Sequence, residues 1–164
     1  MTHDELMDGW ERAWSGRDPD AFEPLCAEDL HYEDPLTAEP LEGAAAVARH
    51  AARLWAAFPD ARLQRTGERL GDGRYLAAPA KLLANHTEPL EGLAATGRFL
   101  IVHVVFYCEL SPDGRLLRVR SFLDLYDAAM QLGILPKPGT MSEKALLALR
   151  GFGFRAGGRE RFDR

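Results

Sequence analysis

The fold is decided by the stretch RSFLDLYD, residues 120–127, in which an apolar strand pattern ends in an acidic residue. Successive side chains of a strand point to opposite faces, so Arg120, Phe122 and Asp124 share one face and the residues between them share the other. Removing a carboxylate from water is costly unless the group is paired, hydrogen-bonded or protonated. We therefore expect Asp124 to lie in a core or pocket and to have a chemical role there.

Length and composition indicate one domain with small-molecule or protein partners. The chain has 164 residues, of which 46% are hydrophobic, with a net charge of -5 and a pI near 5.5. A chain of this size buries about two-thirds of its unfolded surface, and its acidic balance argues against a nucleic-acid surface. Neither a signal-peptide pattern nor an apolar run of roughly twenty residues is present. We predict no nucleic-acid partner, no membrane partner and a cytoplasmic location.

Metal and cofactor chemistry find no support in the sequence. Cys26 and Cys108 lie far apart, which predicts buried free thiols in a reducing compartment, and the histidines fall on separate predicted elements. There is no glycine-rich phosphate loop and no nucleophile elbow. We predict no metal and no cofactor.

Helical spacing opens the chain, and strand patterns fill its middle. Apolar residues predict a helix that ends at Gly16, a short helix from Pro19 and a helix over Gly43–Phe58. Turn signals divide the predicted strands, which cover residues 31–36, 61–70, 75–87, 99–110 and 116–125. Helices followed by hairpin-connected strands indicate an α+β fold, in which the helices pack on one face of a curved, mostly antiparallel sheet and enclose a pocket.

Two further regions bear on the organisation of the chain. The predicted strand 99–110 is apolar on both faces, which is typical of a strand covered on each side, and it carries His103. After the domain of residues 1–136, residues 137–164 are predicted to form a short helix through Leu149 and an arginine-rich tail.

Several short motifs resemble one known family. They are Asn85-His86-Thr87, Leu90-Glu91-Gly92, Ala95-Thr96-Gly97-Arg98, Asp113-Gly114-Arg115, Asp124 and Gln131-Leu132-Gly133. Over residues 5–136, their order and spacing resemble the SnoaL-like polyketide cyclases of the NTF2-like, or cystatin-like cone, superfamily. The resemblance implies a cone-shaped α+β fold and a cofactor-independent aldol ring closure on a small polycyclic or polyketide-type substrate. It also implies that Asp124 is the acid/base group.

The chemistry of such a ring closure needs a base and a hydrogen-bond donor. Burial raises the pKa of a carboxylate toward the range where it removes protons next to a carbonyl, which suits Asp124. His86 would assist by donating to the developing oxyanion, and His103 is a second candidate. Arg120 is the main alternative partner of Asp124, because a salt bridge would lower the pKa of the acid and silence it.

A second segment resembles a related class of enzymes. Glu33-Asp34-Pro35 follows the second helix and resembles the segment that carries the general base of ketosteroid isomerases, which makes Asp34 a further candidate. Those isomerases also use a tyrosine in the first helix and a second acid, where this chain has Trp10 and His103. We therefore place isomerase, hydratase or epoxide-opening chemistry behind cyclisation, with a structural strand end as the other interpretation of Asp34.

The substrate site is predicted from flat and charged side chains around the pocket. We expect a small, apolar and aromatic substrate, although tryptophans at helical spacing also occur in cores. The candidate substrate-binding residues are Trp10, Trp14, Tyr32, Trp55, Tyr75, Arg120 and Phe122.

A third hypothesis is a non-catalytic small-molecule-binding protein, because a fold does not fix a function. A salt bridge between Arg120 and Asp124 without an adjoining cavity would favour it. An exposed apolar sheet face would in turn predict a homodimer or a higher homo-oligomer, since such faces are usually covered by a partner.

Overall fold

The computed structural model of the protein describes residues 1–149. The helices are α1 (His3–Gly16), α2 (Ala44–Ala57), α3 (Leu125–Leu132) and α4 (Met141–Leu149), with a 3₁₀ helix at Pro19–Leu25. The strands are β1 (Cys26–Glu33), β2 (Leu41–Glu42), β3 (Arg62–Arg65), β4 (Leu70–Gly71), β5 (Tyr75–Asn85), β6 (Phe99–Leu110) and β7 (Leu116–Leu123). The predicted arginine-rich tail lies outside the described residues.

All seven strands belong to one sheet, in the order β2-β1-β7-β6-β5-β3, with β4 also paired to β5. Strands β1 and β7 run parallel, and the other pairs are antiparallel. Helices α1 and α2 and the 3₁₀ helix form one apolar cluster with a single face of this sheet. The predicted α+β arrangement is confirmed. We call the helix-covered side of the sheet the inner face and the opposite side the outer face.

Helix α1 begins with a capping box. The backbone N–H of Glu5 donates to Thr2 Oγ1 at 3.1 Å, and the backbone N–H of Thr2 donates to Glu5 Oε2 at 2.7 Å. These two bonds satisfy donors that have no partner within the helix. The apolar stripe of the helix then buries Leu6, Met7 and Trp10 against the sheet.

Helix α2 packs against the sheet through one buried side. Val47, His50, Ala51 and Trp55 are buried and recur every three or four residues, which is the spacing of one helix face. The helix covers the end of the sheet that contains β1, whose last residue is Glu33. His50 therefore faces the protein interior from above the end of β1.

Strand β6 shows which side of the sheet is covered. Leu100, Val102, Val104 and Phe106 are buried on the inner face, whereas the residues between them are exposed on the outer face. The prediction that this strand is covered on both sides is wrong for the single chain, because no element of residues 1–149 packs on the outer face of the strand's middle. The exposed residues of β6 are Phe99, Ile101, His103, Val105 and Tyr107.

Helix α3 follows β7 almost directly. Strand β7 ends at Leu123, two residues before its predicted end at residue 125. Asp124 is the N-cap, and its Oδ1 accepts from the backbone N–H of Asp127 at 2.9 Å. The side-chain amide of Gln131 pairs with both backbone groups of Ile101, each at 2.8 Å. Gln131 thus continues the hydrogen-bonding edge of β6 beyond the last residue of β7, which gives the Gln-Leu-Gly motif a structural role.

The remaining features concern the C-terminus and the cysteines. Helix α4 covers residues 141–149 and has no buried residue, and the division of the chain at residue 136 stays a prediction. No helix within residues 1–149 is long and apolar enough to cross a membrane. Cys26 and Cys108 are free and buried, as predicted, and burial raises the pKa of each thiol to about 12.

Candidate active site between the helices and the inner face

A cavity of about 390 Å³ lies between the helices and the inner face of the sheet. Its wall is almost entirely apolar and is built by α1, α2, α3, the inner face of β5 to β7 and the loop that carries Leu90 and Leu93. Among the described residues, the polar side chains that line it are those of Tyr32, Asp34 and Ser121. The cavity therefore suits an apolar ligand that is held by one polar group.

Asp34 comes to this wall because β1 ends immediately before it. Pro35 cannot continue a strand and forces the preceding residue into an extended conformation, so the chain turns at this point. The backbone N–H of Leu36 donates to Asp34 Oδ1 at 2.7 Å and stabilises the turn. Only 3% of the Asp34 side chain is exposed. A carboxylate this enclosed needs several hydrogen-bond partners.

Three side chains complete the surroundings of Asp34. Its Oδ2 lies 2.8 Å from His50 Nε2 and accepts from the hydroxyl of Tyr32, also at 2.8 Å. The Ser121 hydroxyl in turn donates to the Tyr32 hydroxyl oxygen at 3.2 Å. Because an ionised carboxylate only accepts, the Nε2 atom of His50 carries the hydrogen in this pair. A connected network runs from β7 through β1 to α2.

The network controls the acidity of its members. Burial by itself raises the pKa of Asp34, but the hydrogen bonds from His50, Tyr32 and the Leu36 N–H outweigh burial and hold this pKa below its usual value. Burial raises the pKa of Tyr32 well above its usual value, and the charge of Asp34 adds to this effect. Asp34 is thus an anion and Tyr32 a neutral donor near neutral pH.

Comparison with known proteins decides the family. Residues 4–132 match the family model described as SnoaL-like polyketide cyclase. The chain belongs to the SnoaL-like polyketide cyclase family. No curated protein matches it in sequence. The resemblance predicted from the sequence is therefore confirmed.

Solved structures of similar fold agree with this SnoaL-like membership. TsrD from Streptomyces laurentii is 21% identical with a TM-score of 0.70, and the match covers 80% of this chain and 95% of that one. IdmH from Streptomyces antibioticus is 20% identical, with a TM-score of 0.69 over 79% and 97% of the two chains. A Catenulispora acidiphila protein in complex with trimethylamine, described as having a ketosteroid isomerase-like fold, is 19% identical, with a TM-score of 0.68 over 80% and 95%. The NTF2-like cone fold is confirmed.

The predicted acid Asp124 does not lie in the SnoaL-like cavity. It is exposed, caps α3 and shares the outer face with Phe122 and Arg120. Arg120 pairs with Glu33 of the neighbouring strand, with an N–O distance of 3.0 Å, and not with Asp124. The predictions that Asp124 occupies a pocket and that Arg120 lines one or pairs with it are wrong, because the face they share is turned to solvent.

The two predicted histidines are also placed away from the cavity wall. His103 is exposed on the outer face of β6. His86 is fully buried, packs on the ring of Phe58, and its Nδ1 accepts from the backbone N–H of Thr96 at 3.2 Å. These contacts of His86 hold the loop after β5 in place, and His86 does not face Asp124.

The predicted aromatic residues divide between the two faces. Trp14, Tyr32 and Trp55 line the cavity, and their role in substrate binding stays a prediction. Trp10 is buried behind them in the core and does not reach the cavity wall. The prediction is also wrong for Tyr75 and Phe122, which are exposed on the outer face, where Tyr75 stacks on Tyr107 at 6.1 Å.

Sequence reasoning missed His50 and Ser121. The signal for His50 was present, because it shares the inward stripe of α2 with Val47 and Ala51. Its pairing with Asp34 depends on how α2 crosses the end of β1, which no local pattern gives. Ser121 follows from the strand alternation, which already placed it opposite Asp124. Within residues 1–149, no three acidic, histidine or cysteine side chains are grouped to hold a metal ion.

Proposed function

We propose that this SnoaL-like protein is a cofactor-independent enzyme that closes a ring in a small, largely apolar polyketide-type substrate by an intramolecular aldol reaction. Asp34 replaces Asp124 as the proposed acid/base group. The observation that carries this proposal is a buried, ionised carboxylate at the wall of an otherwise apolar cavity. Buried titratable groups of this kind are typical of catalytic sites.

In the proposed reaction, Asp34 alone accepts and returns each proton. The Asp34 carboxylate removes a proton from the carbon next to a substrate carbonyl and becomes a carboxylic acid, while the substrate becomes an enolate. The acid returns the proton to the oxygen and yields the enol. In the ring-closing step, the enol carbon attacks a second carbonyl as the enol oxygen gives its proton to Asp34. The new alkoxide then takes that proton, and the carboxylate is restored.

A carboxylate of low pKa is a weak base, and the apolar wall of the cavity would make Asp34 more basic. A bound substrate displaces water from the cavity, which strengthens the desolvation that raises the pKa of Asp34 and makes it a better base. General acid/base help contributes about 10²- to 10⁴-fold, and alignment of the two reacting carbons by Trp14 and Trp55 would contribute further.

The surrounding hydrogen bonds act as positioning contacts. His50 and Tyr32 both bind Oδ2 of Asp34. Within residues 1–149, Oδ1 accepts only the backbone N–H of Leu36, so Oδ1 is the oxygen with capacity for a substrate. When Asp34 takes up a proton, it no longer needs both donors, and the Tyr32 hydroxyl becomes available to the substrate oxygen. Donor supply would therefore rise as negative charge develops.

A second candidate function is proton transfer without ring closure, as in an isomerase, hydratase or epoxide hydrolase. The placement of Asp34 favours it, because this residue lies on the segment that resembles the general base of ketosteroid isomerases. A non-catalytic binder is favoured by one observation as well: both oxygens of Asp34 already have protein partners.

The experiment is proton exchange at 2-tetralone, a bicyclic ketone with enolisable hydrogens. Nuclear magnetic resonance in D₂O would follow the loss of these hydrogens with the wild type, Asp34→Asn and the matched control Asp124→Asn. We expect the wild type and Asp124→Asn to accelerate exchange equally and Asp34→Asn to lose about 10²-fold or more. Equal rates with Asp34→Asn would refute the assignment, and no acceleration by any of the proteins would favour the binder.

We also propose that the protein forms a homodimer through the outer face. Phe99, Ile101, Val105, Tyr107 and Phe122 give this face an exposed apolar surface across β6 and β7. Such surfaces are usually covered in solution. Light scattering coupled to gel filtration would show twice the monomer mass, whereas a monomer at micromolar concentration would refute the proposal. The cytoplasmic location stays a prediction.

A further inference from the structure

We infer that, within residues 1–149, the polar end of the cavity presents only hydrogen-bond acceptors and therefore recognises its ligand through an enol or phenol hydroxyl. This inference deepens the proposed function and rests on it for the choice of site. It concerns the class of substrate group that binds, which neither the family nor the fold assigns.

Each side-chain hydrogen at this end of the cavity is already used within the protein. The Tyr32 hydroxyl accepts from Ser121, so its own single hydrogen points to Asp34 Oδ2. The Ser121 hydrogen points to Tyr32, and the Nε2 hydrogen of His50 points to Asp34. The backbone hydrogen of Leu36 is spent on Oδ1. None of these four donors is left for a ligand.

The indole groups of the wall do not supply a donor either. The Trp55 Nε1–H donates to the backbone oxygen of Trp14 at 2.8 Å. The Trp14 Nε1–H has no hydrogen-bond partner among residues 1–149, but the Nε1 atom is buried, so its hydrogen is not presented at the cavity surface. What remains available are oxygen lone pairs on Asp34, Tyr32 and Ser121.

A ligand must therefore supply the hydrogen of any hydrogen bond that it forms with Asp34, Tyr32 or Ser121. A hydroxyl can donate to Asp34, and a hydrogen bond to a charged acceptor strengthens binding by about 10- to 100-fold over a matched ligand without the hydrogen. A ketone or ether oxygen finds no donor among the described residues at this end of the cavity, and a carboxylate or phosphate would be repelled by Asp34. The cavity therefore favours the enol over the ketone, which is the direction of the first proposed proton transfer.

Matched naphthalene ligands test the inference by binding alone. The probes are 2-naphthol, which mimics the enol of 2-tetralone, 2-methoxynaphthalene, which lacks the hydrogen, and 2-naphthoate, which carries the anion. Quenching of tryptophan fluorescence near neutral pH would report binding, because Trp14 and Trp55 line the cavity. We expect 2-naphthol to bind at least about tenfold more tightly than the ether, and the carboxylate to bind weakest.

Two variants distinguish a site that only accepts hydrogen bonds from a site in which Tyr32 donates to the ligand. Asp34→Asn introduces amide hydrogens, so the preference for 2-naphthol over the ether should fall to about onefold, whereas Asp124→Asn should keep it. Tyr32→Phe removes a hydroxyl that donates to Asp34, so the preference should persist or increase. If Tyr32 instead donated to the ligand, Tyr32→Phe would weaken binding of 2-methoxynaphthalene more than that of 2-naphthol.

Equal binding of the hydroxyl and ether ligands, tighter binding of the carboxylate, or no binding of any of the three would overturn the inference. Should Asp34→Asn fail to fold, Tyr32→Phe and the wild-type ligand series still decide it. Hydroxyl-selective binding without exchange of 2-tetralone would support this inference and refute the proposed catalysis, so that the two failures are distinguishable.

Discussion

The two faces of the sheet carry the same kinds of residue in opposite settings. On the inner face, Asp34 and His50 are each 3% exposed in their side chains and bind one another at 2.8 Å. On the outer face, Asp124 at the start of α3 and His103 on β6 are both exposed, and no hydrogen bond joins them within the described residues. The charge of Asp34 can act on a ligand in the apolar cavity, whereas water screens the charge of Asp124 on the outer face.

The comparison shows what strand alternation can and cannot determine. Alternation correctly grouped Arg120 and Phe122 of β7 with Asp124, which follows the strand, on one face of the sheet. It did not show that this face points away from the helices, because the identity of the covered face depends on packing between distant segments. The residues that matter for a cavity were the ones in between, among them Ser121.

The largest expected difference between the faces concerns two consecutive aromatic residues of β6. Phe106 is buried among the helices and Tyr107 is exposed. Phe106→Ala should lower the free energy of unfolding by about 3–5 kcal/mol, and Tyr107→Ala by less than about 1 kcal/mol. Urea titration of each variant gives both values. Equal losses would contradict the assignment of inner and outer faces.

The two histidines give a somewhat smaller contrast. His50→Ala removes a buried hydrogen bond to a charged group and leaves a void, so we expect a loss of about 2–4 kcal/mol in the free energy of unfolding. The control His103→Ala removes an exposed side chain and should change it by no more than about 0.5 kcal/mol. A loss below about 1 kcal/mol for His50→Ala would show that its bond to Asp34 is not formed in solution.

A charged substitution on the outer face should change the oligomeric state without changing ligand binding in the cavity. Val105→Glu places a carboxylate at the centre of the proposed homodimer surface, so it should yield a monomer by light scattering. Binding of 2-naphthol should remain within about twofold of the wild-type affinity, because Val105 does not line the cavity. An unchanged dimer would place the interface elsewhere.

The smallest effect is the acid dependence of stability. The pKa of Asp34 is lowered in the folded protein, so the unfolded chain binds more protons near pH ~4, and stability should rise with pH there. This contribution is present above the unfolded pKa and is lost as pH falls through the folded one. Thermal unfolding of the wild type and Asp34→Asn would show a difference that shrinks below about pH 4. A constant difference would mean that the pKa is not lowered.

Much of the fold followed from local patterns in the sequence. The capped α1, the helix after Gly43 and the turn at Pro35 depend on residues within a few positions of each other. Asp34 was accordingly placed at a strand end. Long-range contacts were beyond reach: β1 pairs with β7 in parallel and joins Glu33 to Arg120, whereas the sequence suggested a partnership of Arg120 with the nearby Asp124.

The candidate site was only partly predictable for the same reason. Trp14, Trp55 and Tyr32 could be recognised by residue type, since flat side chains suit an apolar ligand. The pairing of His50 with Asp34 joins residues 16 positions apart, and that of Ser121 with Tyr32 joins residues 89 apart. Both arise from how helix and sheet pack, which no local pattern in the sequence gives.

The most direct test of the inner-face assignment is carbon-13 nuclear magnetic resonance of the aspartate carboxyl groups during titration with 2-naphthol. We predict a saturable shift of the Asp34 carboxyl resonance, with no change at Asp124, because the ligand hydroxyl would donate to Asp34 within the cavity. A saturable shift at Asp124 with an unchanged Asp34 would contradict the account.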